Sequence, residues 1–252
     1  MAGAQNIYDR SDFFEAYARL RRSIEGLAGM PEWPTLEALL PPLAGARVVD
    51  LGCGYGWFSA HAADSGAASV LALDVSERML ERARELNARA TVTYRRADLE
   101  TEAFPAEAFD LAFSALTLHY VADLPRLLNE IARALIPGGV LVASLEHPIL
   151  TAPRHPGWSE APHGGKVWPV DGYFHEGRRE IEWLAKGVVK HHRTLESLLT
   201  GLAEAGLGLE RLVEFRPSLE LLAERPELAV ELERPMFLLI RARTTPVEGR
   251  QG

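Results

Sequence analysis

Val48 to Ser59 reads VVDLGCGYGWFS. Val48, Val49 and Asp50 have the character of the end of a buried strand and run straight into Gly52, Gly54 and Gly56, after which an apolar helix pattern begins. Glycines at alternate positions let the backbone take positive φ and let a ligand approach with no Cβ in the way. The stretch is a candidate nucleotide-cradling turn.

Two kinds of ligand compete for such a turn. The dinucleotide fingerprint G-x-G-x-x-G places a pyrophosphate on a helix N-terminus, whereas the spacing here is G-x-G-x-G. With Asp50 ahead of it, the stretch resembles motif I of the class I S-adenosylmethionine (SAM) dependent methyltransferases. Their ligand carries a sulfonium and an amino acid tail and no phosphate, and an acidic residue suits that cation.

Three further stretches carry the resemblance. The apolar run Val70–Leu73 reads as a second strand ending in Asp74, whose carboxylate is placed to accept from both hydroxyls of a ribose. Ser76 is the better cap for the helix Glu77–Arg89 that follows, which leaves Asp74 for that task. After a strand Val92–Arg95 comes ADLE, and the resemblance implies that Asp98 accepts from the adenine amino group while Leu99 meets the ring. A fourth strand, FDLAF at Phe109–Phe113, leads into SALTLHYV, where Ser114 and His119 are expected to face the cofactor. The cofactor set implied is Asp50, Gly52, Cys53, Gly54, Asp74, Val75, Met79, Asp98, Leu99, Ser114 and His119, holding SAM or its product S-adenosylhomocysteine (SAH).

The order continues as strand and helix. Asp123 caps a helix Leu124–Leu135, and IPGG turns the chain into a strand Val140–Leu145, with Ile136 where the family commonly has a lysine. Alternating β and α elements imply parallel strands with right-handed crossovers. Beyond them, a helix Leu195–Glu204, a strand Gly206–Phe215, a helix Leu219–Glu231 and a strand Met236–Ala242 match the family's closing antiparallel hairpin. The fold class expected is α/β, a Rossmann-like, seven-stranded, mostly parallel sheet with helices on both faces. One domain spans 1–252, divided into an N-terminal helical lid (1–45), a cofactor core (46–146), an inserted roof after the fifth strand (147–193) and the C-terminal part of the sheet (194–244). In the lid, Ser11 is placed to cap a helix carrying Phe13, Tyr17, Leu20 and Leu27, and a short helix follows around Leu36–Leu40. Tyr8, Tyr17, Arg21 and Arg22 are candidates to touch the acceptor or the methionine carboxylate.

Composition bounds the partners. The chain has 252 residues and a formal charge of −8, which offers no basic field to a phosphate backbone, so no nucleic acid partner is expected. Its single cysteine, Cys53, lies in the glycine turn and forbids an internal disulfide, and no apolar run is long enough to span a membrane. A cytoplasmic protein is expected, with the oligomeric state open.

The roof is where the acceptor should be chosen. It holds six of the eight histidines and three of the five tryptophans. Trp158, Trp168, Tyr173, Phe174 and Trp183 either form a mini-core for a long loop or line an acceptor pocket, with His119, His147 and His191 as candidate catalytic groups and His192 beside the last. Spacings of eight, eight and twelve residues from His147 through His155 and His163 to His175 fit no metal site, and none is expected. Together with PEWP and ERPMFLL, the segment resembles a group of bacterial class I methyltransferases with no acceptor assigned.

The resemblance implies transfer of a methyl group from SAM to an oxygen, nitrogen or sulfur of a small molecule. The stretch after the fourth strand lacks an Asp/Asn-Pro-Pro-aromatic clamp, and the position of Cys53 argues against a cysteine adduct. Three other readings stay open: a nicotinamide dehydrogenase, a SAM-binding regulator without turnover, and a methyltransferase acting on RNA or protein.

Overall fold

The computed structural model describes residues 4–245. In chain order the first half contains α1 (Ser11–Tyr17), α2 (Arg21–Ile24), α3 (Trp33–Glu37), β1 (Arg47–Leu51), α4 (Trp57–Asp64), β2 (Ser69–Asp74), α5 (Glu77–Asn87), β3 (Val92–Arg96) and β4 (Phe109–Ala115). Then follow α6 (Leu124–Ala134), β5 (Leu135–Glu146), α7 (Pro148–Thr151), β6 (Ser159–Glu160), β7 (Lys166–Val167), β8 (Gly177–Trp183) and β9 (Ala185–His192). The chain closes with α8 (Leu195–Glu204), β10 (Leu207–Glu214), α9 (Leu219–Glu224) and β11 (Phe237–Thr244).

Seven strands form one sheet in the order β3-β2-β1-β4-β5-β11-β10. The first five are mutually parallel, β11 runs antiparallel to β5, and β10 antiparallel to β11. Strand order reverses between β1 and β4. The crevice outside their carboxyl ends is where sheets of this kind bind ligands.

Strand alternation divides the core. Val49 and Leu51 point to the side covered by α6 and α8, with Leu127, Leu128, Ile131 and Leu202 buried against them. Val48, Leu111, Phe113 and Val142 point to the side covered by α3 and α4, meeting Leu36 and Phe58. Strands carrying apolar residues on both faces are expected of a parallel sheet buried between helices. Side-chain caps begin several helices: Ser76 accepts from Met79 N–H, Asp123 from Arg126 N–H and Thr194 from Ser197 N–H.

Two expected helices are broken. The N-terminal one starts at Ser11, which is its first residue and not its cap, and stops at Tyr17, because Leu20 is extended and Ser23 Oγ donates to the carbonyl of Tyr17 at 2.7 Å. The break lets Phe13 pack on the roof while Leu27 and Met30 pack beside α3. The helix expected over Leu219–Glu231 ends at Glu224, and Arg225, which precedes Pro226, takes φ −134° and ψ 70° before a 3-10 turn.

The roof consists of α7 and two hairpins, β6–β7 and β8–β9. It is tied down at two places. The Arg234 guanidinium packs against both Trp158 and Trp168, 4.8 and 4.3 Å from ring centroids that are themselves 5.3 Å apart, and Trp168 Nε1 donates to Ile149 O at 3.0 Å. On the other side Ile7, Phe13 and Val188 form a small core with Tyr8, Tyr17, Tyr120, Ile181 and Trp183 around it.

Phe113 in β4 stacks on Phe58 of α4 with centroids 3.5 Å apart, and it is 1% exposed. Phe113→Ala is expected to lower the unfolding free energy by about 3–5 kcal/mol in a urea titration at unchanged m-value.

Candidate active site

The glycine turn is held by its neighbour strand. Gly52 N–H and Cys53 N–H both donate to Leu73 O at 2.8 Å, which fixes the turn against the end of β2. Gly52 and Gly56 have φ of 77° and 75°, and a Cβ on them would lie 2.1 Å from Thr117 Oγ1 and 2.3 Å from the Tyr94 hydroxyl. At Gly54, with φ 53°, the nearest atom to such a Cβ is the Tyr17 hydroxyl at 4.0 Å. The first and third glycines serve packing, and the middle one opens onto the cavity.

Asp74 stands beside that opening. Its Oδ2 accepts from Gly54 N–H and its Oδ1 from Ser76 N–H, both at 2.9 Å. Burial pushes its carboxyl up to about 6, against the pull of those amides. Behind the turn, Asp50 accepts from Ser59 Oγ at 2.6 Å, and burial pushes it up to about 7. Two carboxyls that burial holds near neutrality would ionise more readily beside a cationic ligand.

One cavity of about 950 Å³ runs from this turn under the roof. Gly52, Gly54, Asp74, Val75, Met79 and Leu99 line its core end, with His119 and Tyr120 further along. Asp50 and Cys53 border a smaller space of about 50 Å³ behind the turn. Ser114 is elsewhere: its Oγ donates to Leu51 O at 3.1 Å inside the sheet, fully buried. Asp98 is already engaged, with Oδ1 accepting from Glu100 N–H at 2.9 Å and Oδ2 from Ala4 N–H at 3.0 Å.

That last bond belongs to a strap. Gln5 donates to Gly187 O at 2.6 Å and accepts from Val189 N–H at 2.8 Å, Asn6 donates to Val75 O at 3.4 Å, and Ser76 Oγ donates to Asp9. The N-terminal segment thereby joins the core edge of the cavity to the β8–β9 hairpin.

Of the acceptor candidates, Tyr8, Tyr17, Arg22, Trp168 and Trp183 line the cavity. Arg22 donates to Glu32 Oε1 at 2.9 Å; burial works against its charge, but the Glu32 carboxylate outweighs it and raises its pKa. Trp158 belongs to the clamp on Arg234, and Tyr173 donates none of its surface to the cavity, its hydroxyl accepting instead from Leu195 N–H at 3.1 Å. Phe174 is 83% exposed. Of the roof aromatics, Trp168 and Trp183 therefore line the cavity, while Trp158 and Tyr173 pack within the segment.

The histidines separate in the same way. His147 is buried away from the cavity, with Nδ1 accepting from Ile149 N–H at 3.1 Å and Nε2 3.0 Å from Glu214 Oε1. His192 contacts Thr151 Oγ1 and Tyr173 O at 2.8 Å each. His191 lines the cavity near Glu100, and burial lowers its pKa with Arg193 adding to the effect. His119 is fully enclosed, and burial pushes it down to about 4, so it is neutral at pH 7. Its Nδ1 accepts from Glu146 N–H at 3.3 Å. A neutral imidazole bonded in that way carries its proton on Nε2 and acts as a donor. The arrangement does not suit His119 as a proton acceptor. No group of three or more potential metal ligands occurs among the described residues.

Sequence reasoning passed over Glu146 and Lys190. The Lys190 ammonium donates to Glu146 Oε1 and lies 5.1 Å from the Trp183 ring centroid, and the two side chains are 5% and 15% exposed. Burial works against the Glu146 carboxylate, yet Lys190 and His119 hold its pKa below the ordinary value. Both residues line the cavity. A signal existed: Glu146 ends β5 at the ligand-binding edge, and Lys190 shares its strand face with the apolar Val188.

Residues 49–143 match the family described as Methyltransferase domain. A crystal structure of an S-adenosylmethionine dependent methyltransferase from Mesorhizobium loti aligns with a TM-score of 0.84 at 52% identity, covering 86% of this chain and 100% of that one. An uncharacterized protein of Haemophilus influenzae is 32% identical over 94% of this chain and 96% of its own length. The malonyl-[acyl-carrier protein] O-methyltransferase of Erwinia billingiae is 34% identical over 52% of this chain and 51% of its own length. The chain belongs to the class I SAM-dependent methyltransferases. It is an enzyme of methyl transfer, with SAM as its methyl donor.

Asp50 generates a pH prediction. Its folded value, about 7, lies above the unfolded value near 4, so stability present at low pH is lost as pH rises from about 4 through 7. Asp50→Asn keeps an acceptor for Ser59 and cannot ionise. Without cofactor it should be more stable than the parent at pH 8, by about 4 kcal/mol, with the gap closing by about pH 4 in thermal melts.

Proposed function

We propose that the chain methylates an oxygen, nitrogen or sulfur atom of a small molecule. The observation that carries this reading is the continuity of the cavity: the glycine turn and Asp74 line one end, and Leu150, Trp168, Leu228 and Met236 line the other, beneath the roof. At about 950 Å³ it lies near the upper end of ordinary ligand pockets, as a site for a cofactor plus a small acceptor would. The formal charge of −8 favours this over an RNA acceptor. A relative over half its length is an O-methyltransferase by name, which fits an oxygen acceptor. The single cysteine suits a reducing, cytoplasmic setting. No helix among the described residues is long and apolar enough to cross a membrane.

The residues fit SAM, which when bound supplies an electrophilic methyl on a positively charged sulfur. Asp74, already oriented by two amides, is assigned the ribose hydroxyls, and Gly54 lets the ligand reach the backbone. Arg22, held by Glu32 at the cavity wall, is assigned the amino acid carboxylate. Asp98 is assigned the adenine amino group, and the Ala4 amide competes for the same oxygen. Val75, Met79 and Leu99 supply apolar contact. Tyr8, Tyr17 and Trp183 surround the acceptor and exclude water.

Calorimetric titration with SAH checks the cofactor assignment. Asp74→Ala should weaken SAH by about 10–100-fold, the loss expected for hydrogen bonds to a charged group, while NADH binds neither protein. Methyl transfer from labelled SAM to small acceptors, and not to RNA or protein, tests the acceptor class. Label found only in a macromolecule overturns the reading.

A further inference from the structure

Glu146 and Lys190 reach one cavity wall from separate parts of the chain. Glu146 is the last residue of β5, with Phe237 of β11 beside it in register, while Lys190 comes from β9 of the roof. Among the described residues the Glu146 carboxylate takes one hydrogen bond, from Lys190 to Oε1. Oε2 takes no hydrogen bond among the described residues, and Glu146 lines the cavity. Lys190 has three N–H donors, of which one is committed to Glu146, and its ammonium faces the Tyr120 and Trp183 rings at 5.9 and 5.1 Å. The pair therefore offers a donor and an acceptor side by side.

We propose that Glu146 and Lys190 form the acceptor-binding dyad and that the methyl acceptor is a hydroxyl group, phenolic or enolic, on an apolar molecule. This assignment rests on the small-molecule reading above. A hydroxyl oxygen donates its hydrogen to Glu146 Oε2, accepts from Lys190 through one lone pair and keeps the second for attack. An amine nitrogen has one lone pair, which a bond from Lys190 would occupy. A carboxylate would face the Glu146 charge. The lining by Tyr120, Ile181, Trp183, Leu150, Met236 and Phe237 suits an apolar body behind the hydroxyl.

The step balances without a further reactant. As the acceptor oxygen forms its bond to the methyl carbon, the carbon–sulfur bond breaks, its electron pair stays on sulfur, and the hydroxyl proton passes to Glu146. Lys190 remains an ammonium and steadies the partial negative charge left on oxygen as the proton departs ahead of the methyl bond. His119 supports the dyad from the backbone side, because its Nδ1 receives the Glu146 amide hydrogen. His191 follows Lys190 on β9 and projects from the opposite face of the strand, lining the cavity near Glu100 and not beside Glu146 Oε1.

The test offers the full chain tritium-labelled SAM with a panel of phenols, enols, carboxylic acids, amines and thiols. The expected product is an alkali-resistant methyl ether, with Glu146→Gln lowering transfer about a hundredfold or more and leaving SAH affinity unchanged. The parent rate should fall in acid as Glu146 is protonated, a limb that the residual rate of Glu146→Gln should lack. Lys190 of β9, His119 after β4 and Arg234 before β11 are the charged and titratable groups that hold this limb low. If Glu146→Gln does not fold, Glu146→Gln/Lys190→Met removes both charges together and carries the same test. Transfer to carboxylates, amines or thiols and to no hydroxyl, or full activity of Glu146→Gln, overturns the proposal and leaves the small-molecule reading standing. Transfer to none of the panel overturns both.

Discussion

Two amides on one carbonyl hold the site in place. Gly52 and Cys53 both donate to Leu73 O, so the turn leaving β1 is bonded to the residue that precedes Asp74 on β2. Gly54 N–H then reaches Asp74 itself. The ligand-facing backbone and the carboxylate beside it are thereby one rigid unit, and the parallel pairing of Asp50 with Ala72 and of Leu51 with Leu73 sets their relative height. Such a turn needs positive φ at three alternate positions, and only glycine adopts that backbone at little cost. Packing adds a second demand, since Thr117 and Tyr94 occupy the space where side chains would project from Gly52 and Gly56.

A rigid cradle still has to be closed, and the chain closes it from two directions. Residues 4–10 cross the core edge of the cavity through hydrogen bonds to Val75, Ser76 and Asp98, and then reach the β8–β9 hairpin through Gln5. The roof is held from the far side by Arg234 packed against a pair of tryptophans. Strap and hairpin meet around Phe13 and Val188, so displacement of either exposes apolar surface of the other. Ala4 on Asp98 makes the strap a competitor for the very oxygen assigned to adenine. If adenine takes that oxygen, cofactor entry and strap position are linked, with each favouring a different partner for one carboxylate.

The core was legible because its signals are local. Helix Trp57–Asp64 follows from the glycine turn, Ser76 and Asp123 cap as their spacing implies, and apolar runs mark the buried strands. Where competing packing faces decide, the local signal fails. The periodicity through Leu27 is helical, yet one straight helix could not bury Phe13 under the roof and Leu27 beside α3. In the roof, residue type alone did not distinguish Trp168 and Trp183, which line the cavity, from Trp158 and Tyr173, which hold the segment together. Histidine is a proton carrier by type, but orientation decides what a given ring can do, and the Glu146 amide determines which His119 nitrogen carries hydrogen. Glu146 and Lys190 lie 44 residues apart on different sheets, so no motif could join them.

The charges buried around the cavity do not serve stability well. Replacing a buried ion pair by apolar residues is often neutral or stabilising, because desolvation cancels much of the attraction. Arg22–Glu32 and Lys190–Glu146 are both buried pairs at this cavity, and Glu32 Oε2 has no hydrogen-bond partner among the described residues. Asp50 and Asp74 add two carboxyls that burial holds well above their ordinary values. Elsewhere the ion pairs are mostly exposed, as Arg89–Asp64 and Arg82–Glu85 are, where desolvation costs little. The concentration of costly charge in one place follows if each group faces a ligand charge or a proton in transit: acids near a cation, an arginine near a carboxylate, and an acid–ammonium pair near the reacting atom. Such groups cost least when the ligands are bound, so the folded protein should gain more stability from its cofactor than its apolar contacts alone would provide.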